Sequence, residues 1–592
     1  MLSAQDVRSS QKTALSDLLS STPGVTVTRN GGLGQTTFVR IRGAETDQTV
    51  VLFDGVKIND PSSPGGGYDF ANLMTSDFAR IEVLRGPQST LWGSQAIGGV
   101  VNIITPEPNG PLAGAISAEG GQLGTGMARA RLEAGGDHFD WRLGGSYLST
   151  KGVSAFDRNL GGAETDGFRN IGFNARATYR FSDAVSADYR SIWSKSRFDF
   201  DGYPPPLYVF ADTNEYGNVE ELVTYIGLNV AAFDGRWKNR VGYSFTNTDR
   251  HDYNPDSGIR EEFNAVGRNR HLEYQGTLSI ATGYQAVVGL ESERSSFRTA
   301  APSDFDPNPV PLIASTRLNS VYAELQATPV SPLALTLGVR HDDHATFGGH
   351  TTGRAALAWS VQPDTILRAS FGDGFKAPTL YQLFSPYGNQ ALRPEEATGW
   401  DAGIEQKLAG GKVDLTATYF NRNTKNMIDF VSCFGVADPR CAAQPFGFYD
   451  NVLKTSAKGV ELGATAKTWE RVQLSFNFTR TDATNDTPES PNYGLELARR
   501  ARDTANAGVT YEWPIALATS VSAQYVGRTF DDGANTVKLS SYTLLDLRAA
   551  YSCSRTTILY ARIENALNKQ YETTGGYGSM GRTFSAGIRA NF

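Results

Sequence analysis

Residues 473–482 read QLSFNFTRTD. Side chains alternate along an extended strand, so Leu474, Phe476 and Phe478 share one face and Ser475, Asn477 and Thr479 the other. The same period of two recurs in KVDLTATYF (412–420), SVYAELQATP (320–329), LALTLGVRHD (333–342) and TILRASFGDGF (365–375). Soluble sandwiches alternate too, but their strands usually run about 5–6 residues. Segments of about ten residues with one continuous apolar face match a barrel with lipid outside and water inside. A sheet in hydrocarbon cannot leave backbone groups unpaired at its edges, so it must close. Residues 113–592, at about 22 residues per strand with its connection, allow roughly 22 strands, a width that leaves a lumen to be filled. Short turns (TPVSPLA, 328–334; KLAGGKV, 407–413) alternate with long polar stretches (152–170 and 199–221). That asymmetry is expected of periplasmic turns and outer loops.

Residues 1–112 lack the repeat. TALSDLLSSTPGV (13–25) reads as a short helix ended by Pro23-Gly24; TVVLFDGVKI (49–58), ARIEVLRG (79–86) and IGGVVNIIT (97–105) read as strands. Gly-rich stretches, RNGGLGQTT (29–37) and NDPSSPGGGYD (59–69), join them. The expectation is an all-β protein: a 22-stranded transmembrane antiparallel β-barrel (113–592) with a small α+β domain (1–112).

Composition excludes other classes. The 8 Trp, 25 Tyr and 31 Phe of the 592 residues are too many for a disordered chain. No stretch approaches the ~18 apolar residues of a spanning helix. With 55 basic and 62 acidic residues the net charge is -7, so the basic footprint of a nucleic-acid binder is missing. Cys433 and Cys441 stand in a Pro/Gly-rich loop, as a local disulfide in an oxidising compartment or as two free thiols; Cys553 reads as a free thiol in a turn. Met1 leads into LSAQDVRSSQKT without a basic n-region or apolar core, which implies a processed chain or a cytosolic one.

IRGAETDQTVVLFDGVKIND (41–60), IEVLRGPQSTLWGSQAIGGVVNIIT (81–105) and the closing IENALNKQYET (563–573) and GRTFSAGIRANF (581–592) resemble a TonB-dependent outer-membrane receptor over essentially the whole chain. Within that family TPGVTVTRNGGLGQTTFVRIRG (22–43) and DGVKINDPSSPGGGYDFANL (54–73) are most similar to cobalamin (vitamin B12) transporters. The resemblance implies a plug inside the barrel, a monomer in outer-membrane lipid, and import of cobalamin or a related corrinoid when TonB pulls on the plug. Such receptors carry a hydrophobic TonB box; none stands before Leu15, so the segment that meets TonB is expected to be absent or shortened. A ferric-siderophore importer is the alternative on the same scaffold. A passive porin would need no plug, and a soluble all-β binding protein would need no lipid.

The resemblance also points to sites. Arg29, Asn30 and Gln35 in the first Gly-rich loop, and Asn59, Asp60, Ser62, Ser63 and Tyr68 in the second, would meet ligand at the plug apex; the plainer reading is turn-forming loops. GGLGQTT is no phosphate loop, since Gln35 stands where a lysine is needed. Asp157, Glu164 and Asp166 in one long loop and Asp199, Asp201 and Asp212 in the next offer hard oxygens for calcium, which cobalamin transporters use to order these loops; a solvated acidic surface is the alternative. Glu164, Asp166 and Asp212 fit the family pattern, but Ser154 replaces its first-loop aspartate and Pro204 another expected ligand. Arg40, Arg42 and Arg85 on the plug could pair with Glu405 and Glu461 on the inward face of the wall, or these charges could simply be solvated. His341, His344 and His350 read as outer-loop histidines rather than a metal site. No nucleophile elbow, HExxH or CxxC is present, and no enzyme is expected.

Overall fold

Lipid on one face and closure at the edges are both realised. In the computed structural model, which describes residues 1–108, 110–304, 306–433 and 438–592, 22 antiparallel strands form one closed ring. Each strand pairs with its neighbours in sequence. The ring is sealed where Ala113–Gly121 meets Thr583–Asn591, with Ser585 opposite Gly121 and Asn591 opposite Ala115. The connections between strands alternate, as the turn lengths predict: Asp234–Arg236 and Ala409–Lys412 on one rim, 151–167 and 203–210 on the other.

The strands are longer than the ten-residue segments of the hydropathy pattern. They run from 8 residues (Thr557–Glu564) to 23 (Gly447–Trp469). A spanning strand needs only about 9–11 residues. Strand Ala211–Ala232 shows why the extra length escapes the pattern. Its end nearer the short turns shows Ile226, Leu228 and Val230 to the outside, while the half nearer the long loops carries Asp212, Asn214, Glu215, Glu220 and Glu221. Past the bilayer neither face meets lipid: Asn214 is exposed, Tyr216 and Val219 are buried, and Glu221 meets Tyr68 of the plug, so hydrogen bonding continues after the alternation in hydropathy has stopped. Exposed aromatics such as Phe139, Tyr179, Phe233, Trp359 and Trp513 gather beside the short turns, where amphipathic rings suit the membrane surface.

Residues 1–108 lie in the lumen. A five-stranded sheet in the order Leu2–Ser3, Arg80–Arg85, Gly99–Ile104, Thr49–Phe53, Val56–Lys57 has one parallel pairing, Thr49–Phe53 with Gly99–Ile104. The predicted helix forms over Leu15–Leu19. An earlier one, Ala4–Ser10, was not anticipated; it starts on a capping box in which Ser3 and Asp6 satisfy each other's backbone amides. Leu15, Leu19, Val39, Ile41, Val51, Phe53, Ile81 and Val101 build the core of this domain. Its surface meets the wall on every side: Asp60 with Arg250, Lys57 with Glu293, Asp47 with Lys376, Arg42 with Glu461 and Lys12 with Asp546.

Candidate functional site

On the rim of the long loops, strands 185–202 and 211–232 end side by side and loop 151–167 folds over them. Asp201 Oδ2 accepts the Phe156 amide at 2.5 Å and Asp201 Oδ1 the Thr213 amide at 2.9 Å. Asp212 accepts from Ser154 Oγ at 2.9 Å and from the Ala163 amide at 2.7 Å. Asp166 accepts the Ala155 amide at 2.5 Å. Carboxylate oxygens of Glu164, Asp201 and Asp212 lie within 4.8 Å of one another, and Glu164 Oε1 is buried without a hydrogen-bond partner. Burial, then Asp201 and Asp212 beside it, push the Glu164 carboxyl up to about 7. Burial, with Asp201 and Glu164 adding to it against the Ala155 amide, pushes Asp166 up to about 8. Hard oxygens crowded at the cost of their own ionisation are a donor set that a divalent cation relieves.

Two of the six expected carboxylates stand aside. Asp157 caps its own turn, accepting the Asn159 amide at 2.6 Å, and faces Glu572. Asp199 lies two residues, about 7 Å, before Asp201 along the strand and accepts the Gly167 amide at 3.2 Å. Ser154, in the place of the missing aspartate, still supplies an oxygen. Above the cluster, Phe210 packs against Phe156 and Tyr203 (both centroids at 5.4 Å) and Tyr577 (4.4 Å), pinning three loops together. The loop between them exposes Leu207, Tyr208 and Val209.

The plug apex is more tightly braced than its sequence suggests. Arg29 spends its guanidinium on Asp17 at 2.8 Å and Ser16 at 2.9 Å. Gln35 is buried and donates to the Asp199 carbonyl at 2.5 Å, tying apex to wall. Asn59 holds the Val51 amide and the Thr49 and Gly66 carbonyls. Asp60 caps Ser62, which is fully buried. Tyr68 is buried edge-on to Phe70, and its hydroxyl donates to Glu221 of the wall at 3.4 Å. Asn30, which accepts from Thr574 at 3.0 Å, and Ser63 remain half-buried. A cavity of about 150 Å³ runs between the plug hairpin and the wall, past Arg29, Leu33, Tyr542, Tyr571 and Met580.

Plug and wall are joined by ions. Arg42 bonds both oxygens of Glu461 and reaches Asp401 at 3.0 Å, and Arg85 meets Glu461 at 2.9 Å. Asp401 was not foreseen, although it shares the inward face of Glu405, four residues on. Arg40 and Glu405 make no such bridge. Arg40 stays within the plug, donating to Thr28 at 2.7 Å, and Glu405 sits near the short turns with Arg368 of the adjacent strand at 2.6 Å. His344 accepts from the Thr346 amide, His350 stacks on Phe375 and His341 lies against Thr351; among the described residues the three do not gather into a metal-ligand group. Cys433 and Cys441 are disulfide-bonded and Cys553 is a free, exposed thiol.

Comparison with known proteins agrees with this architecture. A family model described as "TonB dependent receptor-like, beta-barrel" matches residues 183–566, and one for the "TonB-dependent Receptor Plug Domain" matches residues 1–100. The vitamin B12 transporter BtuB of Photobacterium profundum is 28% identical, across 99% of this chain and 91% of that protein. Among solved structures, the ferric enterobactin receptor PfeA of Pseudomonas aeruginosa superposes with a TM-score of 0.82 at 20% identity, covering 100% of this chain and 99% of that one. The siderophore receptor PirA of Acinetobacter baumannii gives 0.82 at 18% identity, covering 100% and 98%. At these identities the solved structures speak to the fold alone.

Proposed function

Since the chain belongs to the TonB-dependent receptor family and is a transporter of the outer membrane, we propose that its cargo is cobalamin or a related corrinoid. The observation that carries this reading is the carboxylate cluster at the root of the two loops. Glu164, Asp201 and Asp212, with Ser154 and Asp166 beside them, would hold a calcium ion. The ion would supply the charge that lets loops 151–167 and 203–210 stand together over the plug. The exposed Leu207, Tyr208 and Val209 then offer an apolar cover for a broad, flat ligand. Asn30 and Ser63 at the apex supply hydrogen bonds from below. The relationship to the B12 transporter of Photobacterium profundum supports the same substrate class.

Cargo would move inward when TonB-transmitted force parts the ion pairs between plug and wall. The second reading, a ferric-siderophore importer, draws on the fold it shares with PfeA and PirA. Calorimetry on the detergent-solubilised chain separates the two. Cyanocobalamin is expected to bind more tightly with calcium than without it, and ferric catecholates not to bind. Tight binding of an iron chelate with no response to cyanocobalamin would reverse the assignment.

A further inference from the structure

At the outer end of the plug–wall seam, guanidinium groups outnumber their partners. Arg422 lies on the inward face of strand Val413–Ser432, two residues beyond Phe420, over whose ring Arg42 packs at 4.6 Å. Arg422 is 5% exposed, and its Nε and Nη1 have no hydrogen-bond partner among the described residues. No carboxylate lies within ion-pair distance of it among those residues. The charges that act on it are Arg500 and Arg42, opposed by Glu45.

Five guanidiniums here face three carboxylates. Arg42 and Arg85 are balanced by Glu461 and Asp401. Arg40 and Arg500 share Glu45, which Arg500 contacts directly and Arg40 approaches only to 3.8 Å; the remaining Arg500 donors go to the Gly43 and Ala498 carbonyls, which carry no neutralising charge. Arg40 Nε is likewise left without a hydrogen bond. Burial, with Arg500 adding to it, draws Arg40 down to about 10. The next carboxylates do not close the gap: Asp47 holds Lys376 at 2.9 Å, and Asp429, which has Glu45 and Arg500 for neighbours, accepts the Phe430 amide and forms no ion pair with these arginines. The wall is cut back to admit the plug here. A Cβ on Gly43 would fall 2.9 Å from Ala483 and 3.7 Å from Ala457.

A buried, unpaired guanidinium is costly, and its planar fork of N–H donors matches the oxygens of a tetrahedral oxyanion. We propose that Arg422, Arg40 and Arg500 hold a small inorganic oxyanion of the phosphate or sulfate class in this seam, where it joins wall to plug.

The test uses the full chain in detergent, in an anion-poor buffer with ionic strength held constant by an organic salt. Inorganic phosphate is expected to raise the melting temperature along a saturable curve, sulfate to compete, and chloride to act more weakly. Arg422→Gln should remove the saturable response. In the anion-poor buffer it should melt no lower than the parent, because it deletes an unpaired buried charge. Arg499→Gln, whose native partner is Asp531, should keep the response. The proposal is overturned if the parent chain shows no saturable response, or if Arg422→Gln responds like the parent. It is also overturned if Arg422→Gln melts lower without added anion. Should Arg422→Gln fail to fold, Arg500→Gln takes its place and is expected to weaken phosphate binding at least tenfold; unchanged affinity would count against the site.

Discussion

Arg42 on the plug grips both carboxylate oxygens of Glu461 on the wall, Nε at 2.8 Å and Nη2 at 2.9 Å, with the two side chains 6% and 4% exposed. Neither residue reaches water, and the pair joins segments 419 positions apart. Partly solvated pairs contribute little, but breaking a buried pair from one side leaves the other charge stranded.

Glu461→Ala should therefore cost about 3–5 kcal/mol, since it leaves Arg42 only Asp401 and takes from Arg85 its one ion-pair partner among the described residues. Arg85→Glu should have a similar local effect by placing a second negative charge beside Glu461. Limited proteolysis is the readout: both variants are expected to be cut faster within residues 1–112 than the parent, with barrel fragments unchanged. An unaltered digestion pattern would mean that the pairs do not secure the plug.

The loop cluster predicts a pH dependence. Glu164 and Asp166 are held at about 7 and about 8, above their ordinary values. The folded state therefore binds protons more tightly than the unfolded chain. Stability from this cluster is fully present below the ordinary carboxylate range, about pH 4, and is lost progressively as pH rises to about 7 to 8. Calcium binds the deprotonated form, so its stabilising effect should be larger at about pH 8 than at about pH 5.5, and its binding should release protons. Melting curves with calcium or chelator at the two pH values check this; equal shifts, or none up to millimolar calcium, would discard the ion.

Thiol accessibility tests the topology. Cys553 is exposed in the short turn between strands Tyr542–Ser552 and Thr557–Glu564, whereas the Cys433–Cys441 bridge lies on the long-loop rim. A membrane-impermeant maleimide applied to intact cells should modify neither site before reduction. After mild reduction it should modify Cys433 and Cys441, and only cell lysis should expose Cys553. Labelling of Cys553 on intact cells would invert the barrel.

Gly34 has φ +87° at the plug apex, and any side chain there meets the Phe168 ring. Gly34→Ala should cost about 1–2 kcal/mol from the left-handed backbone alone, with displacement of Phe168 added. A melting temperature matching the parent would show that the apex repacks freely.

The cylinder was legible because lipid imposes a period of two on every strand that crosses it. The plug strands were legible as short apolar runs between glycine-rich turns. Strand ends were not: the half of Ala211–Ala232 nearer the long loops lies beyond lipid and carries no alternation in hydropathy. Glu461 could be placed on the inward face by alternation alone, and so could Asp401, but which arginine each meets depends on how the plug sits in the ring. The same limit hid the burial of Tyr68, since a tyrosine in a glycine-rich loop looks identical whether it is exposed or buried. Of the six loop carboxylates, chain proximity named two loops that the fold does bring together. Only strand register separates Asp201, which enters the cluster, from Asp199, which does not.

The pairing of Ala113–Gly121 with Thr583–Asn591 fixes an order of events. Every other strand of the ring pairs with the strand next to it in the barrel sequence, but this join brings together the two ends of that sequence. Until then two bare edges remain, each able to recruit a foreign strand. The stopper has left the ribosome long before its cylinder exists, so the staves must be hooped around a cork already present, and any delay in supplying the final stave leaves an open barrel rather than a leaky one.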